Sequence, residues 1–289
     1  MDPSLLFGSI IEGKSIKTAN PGDYFGIIFK MPEGLRPGAL RGKMKKNQER
    51  GLFMKPFIAD VHMHTIMSGH AFGTLRELAK EASERGLKLI GVTEHGPGIP
   101  GTVDPIYFRN LDDAPRLLYG VELLHGSEVN VLNDGTLSLD RRHLDCLDYA
   151  IAGIHSLCYE NAGKTKNTDN VIRCMMDPKV RFISHPDDDH NPMDYPALVR
   201  GAKEYGVALE LNNSSLRKPQ NRLNCLENYR VMLTLCMEEG VPIVVNTDAH
   251  DPSAVGEFSK ARAFLEDFGF EEELILNNDL EKLKNFLLK

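Results

Sequence analysis

Histidine, aspartate and glutamate recur in this sequence at the ends of short apolar runs. Asp60, His62 and His64 close the first run, and Asp248 and His250 close the last. The runs between them end on related residues: Glu94, His95, Glu128, His155, His185, Asn212 and Asn213. These ends recur about every 30 residues, the length of one strand–helix unit. Because parallel strands bring their carboxyl ends to one face, we expect these side chains to share one pocket.

The chemistry that these residue types favour is the binding of divalent metal ions. Imidazoles and carboxylates suit Zn, Mn or Fe. His62 and His64 are two residues apart, so both side chains of a strand would face the same side. The five cysteines (146, 158, 174, 225 and 236) contain no CxxC pair, which argues against a thiolate zinc site and a disulfide framework. Alternatively, these histidines could be ordinary buried residues of the core. The repeated placement of histidine at strand ends favours a metal site.

The elements that must position these residues alternate along the chain. Seven apolar runs supply the expected strands: 57–64, 87–95, 123–131, 147–155, 180–186, 206–213 and 241–250. Helical patterns fall at 74–86, 193–205, 224–240 and 256–268, with a terminal helix in 277–289. This alternation predicts a parallel α/β architecture. Phosphate-binding GxGxxG and GxxxxGK[ST] motifs are missing, and the polar strand ends favour a barrel over an open sheet.

Charge divides the chain of 289 residues and net charge -7 into two unlike parts. Residues 1–56 carry ten Lys and Arg against five Asp and Glu, a balance of +5, whereas 57–289 carry a balance of -12. We therefore expect an N-terminal extension of unknown role, followed by one barrel domain. The acidic domain argues against a nucleic-acid partner. Because no membrane span or signal peptide is apparent, a cytoplasmic protein is expected.

Eight short segments carry a resemblance to a known family. DVHMHT, SGHAFGTL, GVTEHGP, HGSEVNV, IAGIHS, ISHP, LELNNSS and NTDAH occur in this order over 57–289. In these segments the chain resembles the PHP (polymerase and histidinol phosphatase) superfamily, especially its stand-alone phosphatases with a trinuclear metal centre. The resemblance implies a distorted (β/α)7 barrel with the metal centre at the C-terminal ends of the strands.

The resemblance also implies a ligand set for three divalent ions, with Zn expected first and Mn or Fe as alternatives. The first ion would take His62, His64, Glu128 and Asp248. The second would take Glu128, His155 and His185, and the third His70, His95 and His250. Glu128, Asp248 and His250 are the expected catalytic residues. Asp60 and Glu94 are expected to orient ligand imidazoles, although a carboxylate bonded to backbone is the alternative for Asp60.

Residues that would contact the substrate are expected in two loops. Arg217 and Lys218 follow LELNNSS just past a strand end, and with Asn212 they are candidate substrate-binding residues. The run PDDDHNP (186–192) places three carboxylates after His185. It would either select a cationic group of the substrate or form a solvated turn.

The function that the resemblance implies is hydrolysis of a small phosphomonoester, such as histidinol phosphate, by metal-activated hydroxide. A phosphodiesterase or exonuclease is one alternative, and a non-catalytic, metal-stabilised PHP module is another. The expected partner is a small phosphorylated metabolite. A homo-oligomer is left open by the sequence.

Overall fold

The computed structural model of the protein describes residues 54–289. The predicted N-terminal extension, residues 1–56, lies outside the described residues except for its last three positions.

In the described part of the chain, seven parallel strands and one short antiparallel strand form the sheet. Their bounds are β1 Ala59–Asp60, β2 Leu89–His95, β3 Leu117–Leu118, β4 Val121–Asn130, β5 Tyr149–Gly153, β6 Val180–Ile183, β7 Ala208–Asn212 and β8 Ile243–Asn246. The parallel strands follow the order β1-β2-β4-β5-β6-β7-β8, while β3 pairs antiparallel with β4. The predicted α/β class and the seven parallel strands are confirmed.

The strand β1 is shorter than the sequence predicted. It ends at Asp60, so His62 and His64 lie beyond it and not on a strand as expected. The chain after β1 instead bonds to the segment that follows β8. The His62 carbonyl accepts the Asp248 N–H at 2.9 Å, and the His64 N–H donates to the Ala249 carbonyl at 2.9 Å. These bonds place the two histidines beside the end of β8.

Side-chain hydrogen bonds, instead of backbone strand pairing, connect β1 to β8. The buried Asn277 amide nitrogen donates to the carbonyls of Ala59 (3.0 Å) and Val245 (2.8 Å), and its oxygen accepts the Val245 N–H (2.7 Å). Asn246 adds a bond from its Oδ1 to the Val61 N–H at 2.9 Å. The seven strands therefore close into a nearly complete, distorted barrel.

Helices follow the strands on the outside of the barrel. Their bounds are α1 Leu75–Glu84, α2 Ile106–Arg109, α3 Arg141–Leu144, α4 Lys164–Met175, α5 Tyr195–Tyr205, α6 Asn213–Arg217, α7 Cys225–Glu239, α8 Ser259–Phe268 and α9 Leu280–Leu287. A capping box begins α1, because Thr74 and Glu77 bond reciprocally. Helix α4 was not predicted, because its mostly polar sequence shows no clear apolar face.

The barrel interior is apolar away from the polar strand ends. Tyr149, Ile151, Phe182 and Val244 are fully buried there, and the terminal helix α9 packs against the same cluster. The Tyr149 hydroxyl donates to the Val61 carbonyl at 2.7 Å. A Cβ at Gly91 would lie 1.9 Å from this hydroxyl, so the tyrosine requires glycine at that position. Among residues 54–289, no helix combines the length and apolar character needed to cross a membrane.

Candidate metal centre

The first group of donors lies where β1 and β8 end. His62 Nε2 and His64 Nε2 are 3.2 Å apart. Asp248 Oδ1 lies 3.6 Å from the first nitrogen and 3.3 Å from the second. Glu128 Oε2 lies 3.3 Å and 3.5 Å from the same two atoms. Four side chains that are up to 186 positions apart therefore converge on one point.

The two oxygens of Glu128 face different histidines. Oε1 lies 2.9 Å from His185 Nε2 and 3.3 Å from His155 Nε2. Oε2 lies 3.1 Å from His95 Nδ1, besides its contacts with the first group. Gly153 leaves room for this arrangement, since a Cβ there would lie 3.2 Å from Glu128 Oε1. Glu128 thus stands between separate groups of donors.

Further histidines extend the cluster toward the surface. His70 Nε2 and His250 Nε2 are 3.1 Å apart, and the His70 and His95 rings stack with centroids 5.0 Å apart. Three sets of donor atoms each lie within 4.8 Å of one another: His62/His64/Asp248, His95/Glu128/His155 and His64/His95/His250. These sets contain seven residues, and His70 and His185 contact them. We call all nine side chains the candidate metal centre: His62, His64, His70, His95, Glu128, His155, His185, Asp248 and His250.

Hydrogen bonds on the far side of several rings fix which nitrogen faces the centre. His62 Nδ1 donates to Glu210 Oε1 at 2.8 Å, and His155 Nδ1 donates to Asn130 Oδ1 at 2.7 Å. The Nε2 lone pairs of both rings are thereby left to face the centre. Sequence reasoning missed Glu210, whose signal was one charged residue inside the apolar run GVALELNN.

The two carboxylates that were expected to orient imidazoles have different roles. Asp60 accepts from the Thr247 hydroxyl at 2.5 Å and from the backbone of Thr247 and Gly256, so it holds the chain after β8 and bonds no imidazole. Glu94 contacts the His64 imidazole only indirectly, through the Ser68 hydroxyl. The Ser68 hydroxyl donates to Glu94 at 2.6 Å and lies 3.0 Å from His64 Nδ1.

Electrostatics within the centre are dominated by burial and by the mixture of imidazoles and carboxylates. Burial alone would raise the pKa of Glu128, but His62 and His155 hold it well below its usual range. Burial would likewise raise the pKa of Asp248, and His62 and His64 lower it. Burial and neighbouring His95 lower the pKa of His64. The carboxylates are therefore ionised, as metal binding requires.

Backbone strain marks two of the nine positions. His185 and Asp248 have φ values of 30° and 52°. Only a few per cent of non-glycine residues adopt positive φ, most often Asn, Asp and His, and such residues concentrate at functional sites. The surrounding bonds enforce this geometry at His185, whose backbone N–H donates to Glu210 Oε2 at 2.8 Å.

The donor set fits divalent cations. Within residues 54–289, His95 Nδ1 and Glu128 Oε2 are both buried and have no hydrogen-bond partner, although they lie 3.1 Å apart. Buried polar atoms seldom remain unpaired without an ion or water to bind. Nitrogen and carboxylate oxygen ligands in this number suit Zn and related metals. These unpaired atoms therefore face the position where a cation would complete their bonding.

A cleft of about 550 Å³ opens next to the candidate metal centre. His70, His95, His155 and His185 line it together with apolar side chains and Arg222. The predicted substrate residues Arg217 and Lys218 are exposed and are not among its lining residues.

Asn212, the third predicted substrate residue, is buried beside the centre. Its amide nitrogen bonds Glu210 (3.1 Å) and Asp248 (3.2 Å), and its oxygen caps α6 by accepting the Ser215 N–H.

The fold and the site together define a parallel barrel with a metal-binding centre at its strand ends. The PHP domain profile matches residues 60–187. A probable phosphatase from Thermoanaerobacter sp. is 40% identical over 80% of this chain and 94% of its own length. A probable phosphatase from Clostridium acetobutylicum is 36% identical with the same coverage.

A solved structure shares the fold. It is histidinol phosphate phosphatase from Lactococcus lactis in complex with zinc, L-histidinol and phosphate. The TM-score is 0.51 at 19% identity, covering 74% of this chain and 95% of that one. The chain belongs to the PHP family, among its phosphatases, which are hydrolases of phosphoric ester bonds.

Proposed function

We propose that this protein hydrolyses a small phosphomonoester, such as histidinol phosphate, with three divalent ions held in the candidate metal centre. The observation that carries the proposal is the position of Glu128, whose two oxygens face separate groups of histidines. A bridging carboxylate of this kind suits neighbouring ions. The solved relative that holds zinc, histidinol and phosphate supports both the metal and the class of substrate.

The nine side chains of the candidate metal centre would hold the ions in three sets. These are His62, His64, Glu128 and Asp248; Glu128, His155 and His185; and His70, His95 and His250. The predominance of imidazole nitrogen favours Zn over harder cations, with Mn and Fe as alternatives. When bound, such ions activate water for attack and neutralise charge on phosphoryl oxygens.

The residues of the chain supply orientation and access. Glu210 holds the His62 ring, and the Ser184 hydroxyl donates to Glu128 Oε1 at 2.7 Å. The side chain of Glu128 is 1% exposed, whereas those of Asp248 and His250 are 12% and 30% exposed. We assign catalytic roles to these three residues, since they extend from the buried bridge to the open edge of the centre.

A comparison of model substrates tests this proposal. The full chain is stripped of metal, reconstituted with Zn, Mn or Fe, and assayed on p-nitrophenyl phosphate and bis-p-nitrophenyl phosphate. We expect the monoester to be the better substrate, and a screen of phosphorylated metabolites should then identify the natural one. Faster hydrolysis of the diester would favour a phosphodiesterase instead. Three bound ions without hydrolysis of any ester would indicate a non-catalytic module.

A further inference from the structure

The cleft beside the candidate metal centre has an apolar wall and one strong cation. Ile99, Ile154, Leu157 and Met193 contribute apolar side chains to its lining. Among the residues that line the cleft in the described part of the chain, Arg222 is the one lysine or arginine. No motif in the sequence pointed to it, because it lies in the loop between α6 and α7. Its position makes it the cleft's fixed positive charge.

A buried carboxylate holds Arg222 in place. Arg222 Nη1 lies 3.2 Å from Asp187 Oδ1, and the two side chains are 25% and 0% exposed. Asp187 is two residues after His185, so the pair is tied to the candidate metal centre through the backbone. A guanidinium carries five N–H donors, and this hydrogen bond occupies one of them. The partly exposed guanidinium therefore has donors left for a ligand in the cleft.

The other carboxylates of the acidic run are engaged by the protein itself. Asp188 Oδ1 accepts from His190 Nδ1 at 2.7 Å and from the Leu223 N–H at 3.0 Å. Asp189 accepts from the amides of Asn224 (2.7 Å) and Asn228 (2.9 Å). These bonds fold the run against the loop that carries Arg222. Asp188 Oδ1 and both oxygens of Asp189 are thus bonded within the protein.

The charge state of Arg222 is fixed by the same surroundings. Burial alone would lower its pKa, but the carboxylate of Asp187, assisted by Asp248 and Asp188, raises it above its usual value. The guanidinium therefore stays charged at neutral pH. Such a group binds carboxylates and phosphoryl groups through paired hydrogen bonds.

From this geometry we propose that Arg222, held by Asp187, binds an oxyanion of the substrate. The inference rests on the proposed function for the identity of that ligand as a phosphorylated compound. The oxyanion comes either from the phosphoryl group itself or from a second acidic group, such as a carboxylate, on the leaving part of the substrate. Asp187 is a positioning residue in this account, because it acts through Arg222.

Two non-hydrolysable ligands separate these sources without requiring turnover. Ethylphosphonate carries the phosphoryl-like group alone, whereas 3-phosphonopropionate adds a carboxylate. Calorimetric titration of each into the metal-loaded full chain gives the dissociation constants. The test variant is Asp187→Asn/Arg222→Gln, which removes both charges together and so leaves no buried carboxylate unpaired. Asp187→Asn alone is the matched control, since it keeps the guanidinium and an acceptor for it.

We expect the double variant to bind 3-phosphonopropionate about ten- to hundred-fold more weakly than the control does, as a lost charge-assisted hydrogen bond predicts. Equal weakening for ethylphosphonate identifies the phosphoryl group as the ligand, and weakening confined to 3-phosphonopropionate identifies the carboxylate. Unchanged dissociation constants for both ligands, at an unchanged metal content, would overturn the role of Arg222. Failure of the proposed function would appear separately, as absence of turnover by the wild-type protein.

Discussion

At the residue scale, Glu128 lies between two groups of donors, with Oε1 facing His185 and Oε2 facing His62. Histidines and carboxylates at regular intervals indicated eight of the nine positions of the candidate metal centre, because parallel topology brings such positions together. The ninth, His70, followed only from the resemblance to the PHP family. Glu210 escaped notice because its role depends on the pairing of β7 with β8 and on its contact with His62. Arg222 escaped for the same reason, since its partner Asp187 lies 35 positions away.

Replacement of the central carboxylate gives a prediction at this scale. In Glu128→Gln, two ions should be lost together, because each oxygen of Glu128 faces a different group of histidines. Metal content of the purified variant, measured by mass spectrometry after dialysis against a weak chelator, checks this expectation. Loss of a single ion would contradict a bridging role.

The neighbouring carboxylate Glu210 provides a matched comparison. It contacts the His62 ring from behind, so Glu210→Gln should weaken binding of one ion about ten- to hundred-fold while the others remain. Chelator competition measures the affinity. Simultaneous loss of two ions from the Glu210→Gln variant would contradict the assignment of Glu128 as the bridging residue.

At the scale of elements, local signals predicted helix starts better than strand lengths. The capping box at Thr74 and Glu77 depends on residues three apart, and the structure contains it. The extent of β1 depends on distant partners, and the strand ends at Asp60 because the following chain bonds to residues 248 and 249. The closure by Asn277 is likewise a contact across more than two hundred positions that no local pattern reveals.

That closure can be tested by stability. Asn277→Ala would leave the Ala59 carbonyl and both backbone groups of Val245 without their present partner. The free energy of unfolding should fall by about 3 kcal/mol, about 1 kcal/mol for each lost bond. Urea unfolding at a fixed metal concentration measures it.

The adjacent Asn278→Ala is the control for this experiment. Asn278 makes one bond of 3.3 Å to the Glu272 carbonyl, so its replacement should change stability by less than about 1 kcal/mol. Similar losses in both variants would show that the β1–β8 join does not depend on Asn277.

At the scale of the whole molecule, bound metal ions would reconcile the acidic charge of the chain with an anionic substrate. The segment 57–289 carries a balance of -12, yet its proposed substrate is an anion. Three divalent cations at the strand ends would offset half of that charge at the place where phosphate must approach. The acidity of this segment is evident from composition alone. Whether an acidic domain can bind a phosphorylated substrate depends on the fold, which brings the metal-ligand side chains together at one place.

Metal-dependent hydrolysis of a phosphomonoester can be tested on a single series of samples. Metal content and the kcat/KM for p-nitrophenyl phosphate are determined on the same samples of full chain during stepwise removal and restoration of Zn. We expect activity to disappear with the metal and to return as the content approaches three ions per chain. Hydrolysis that persists in fully stripped protein would contradict this expectation.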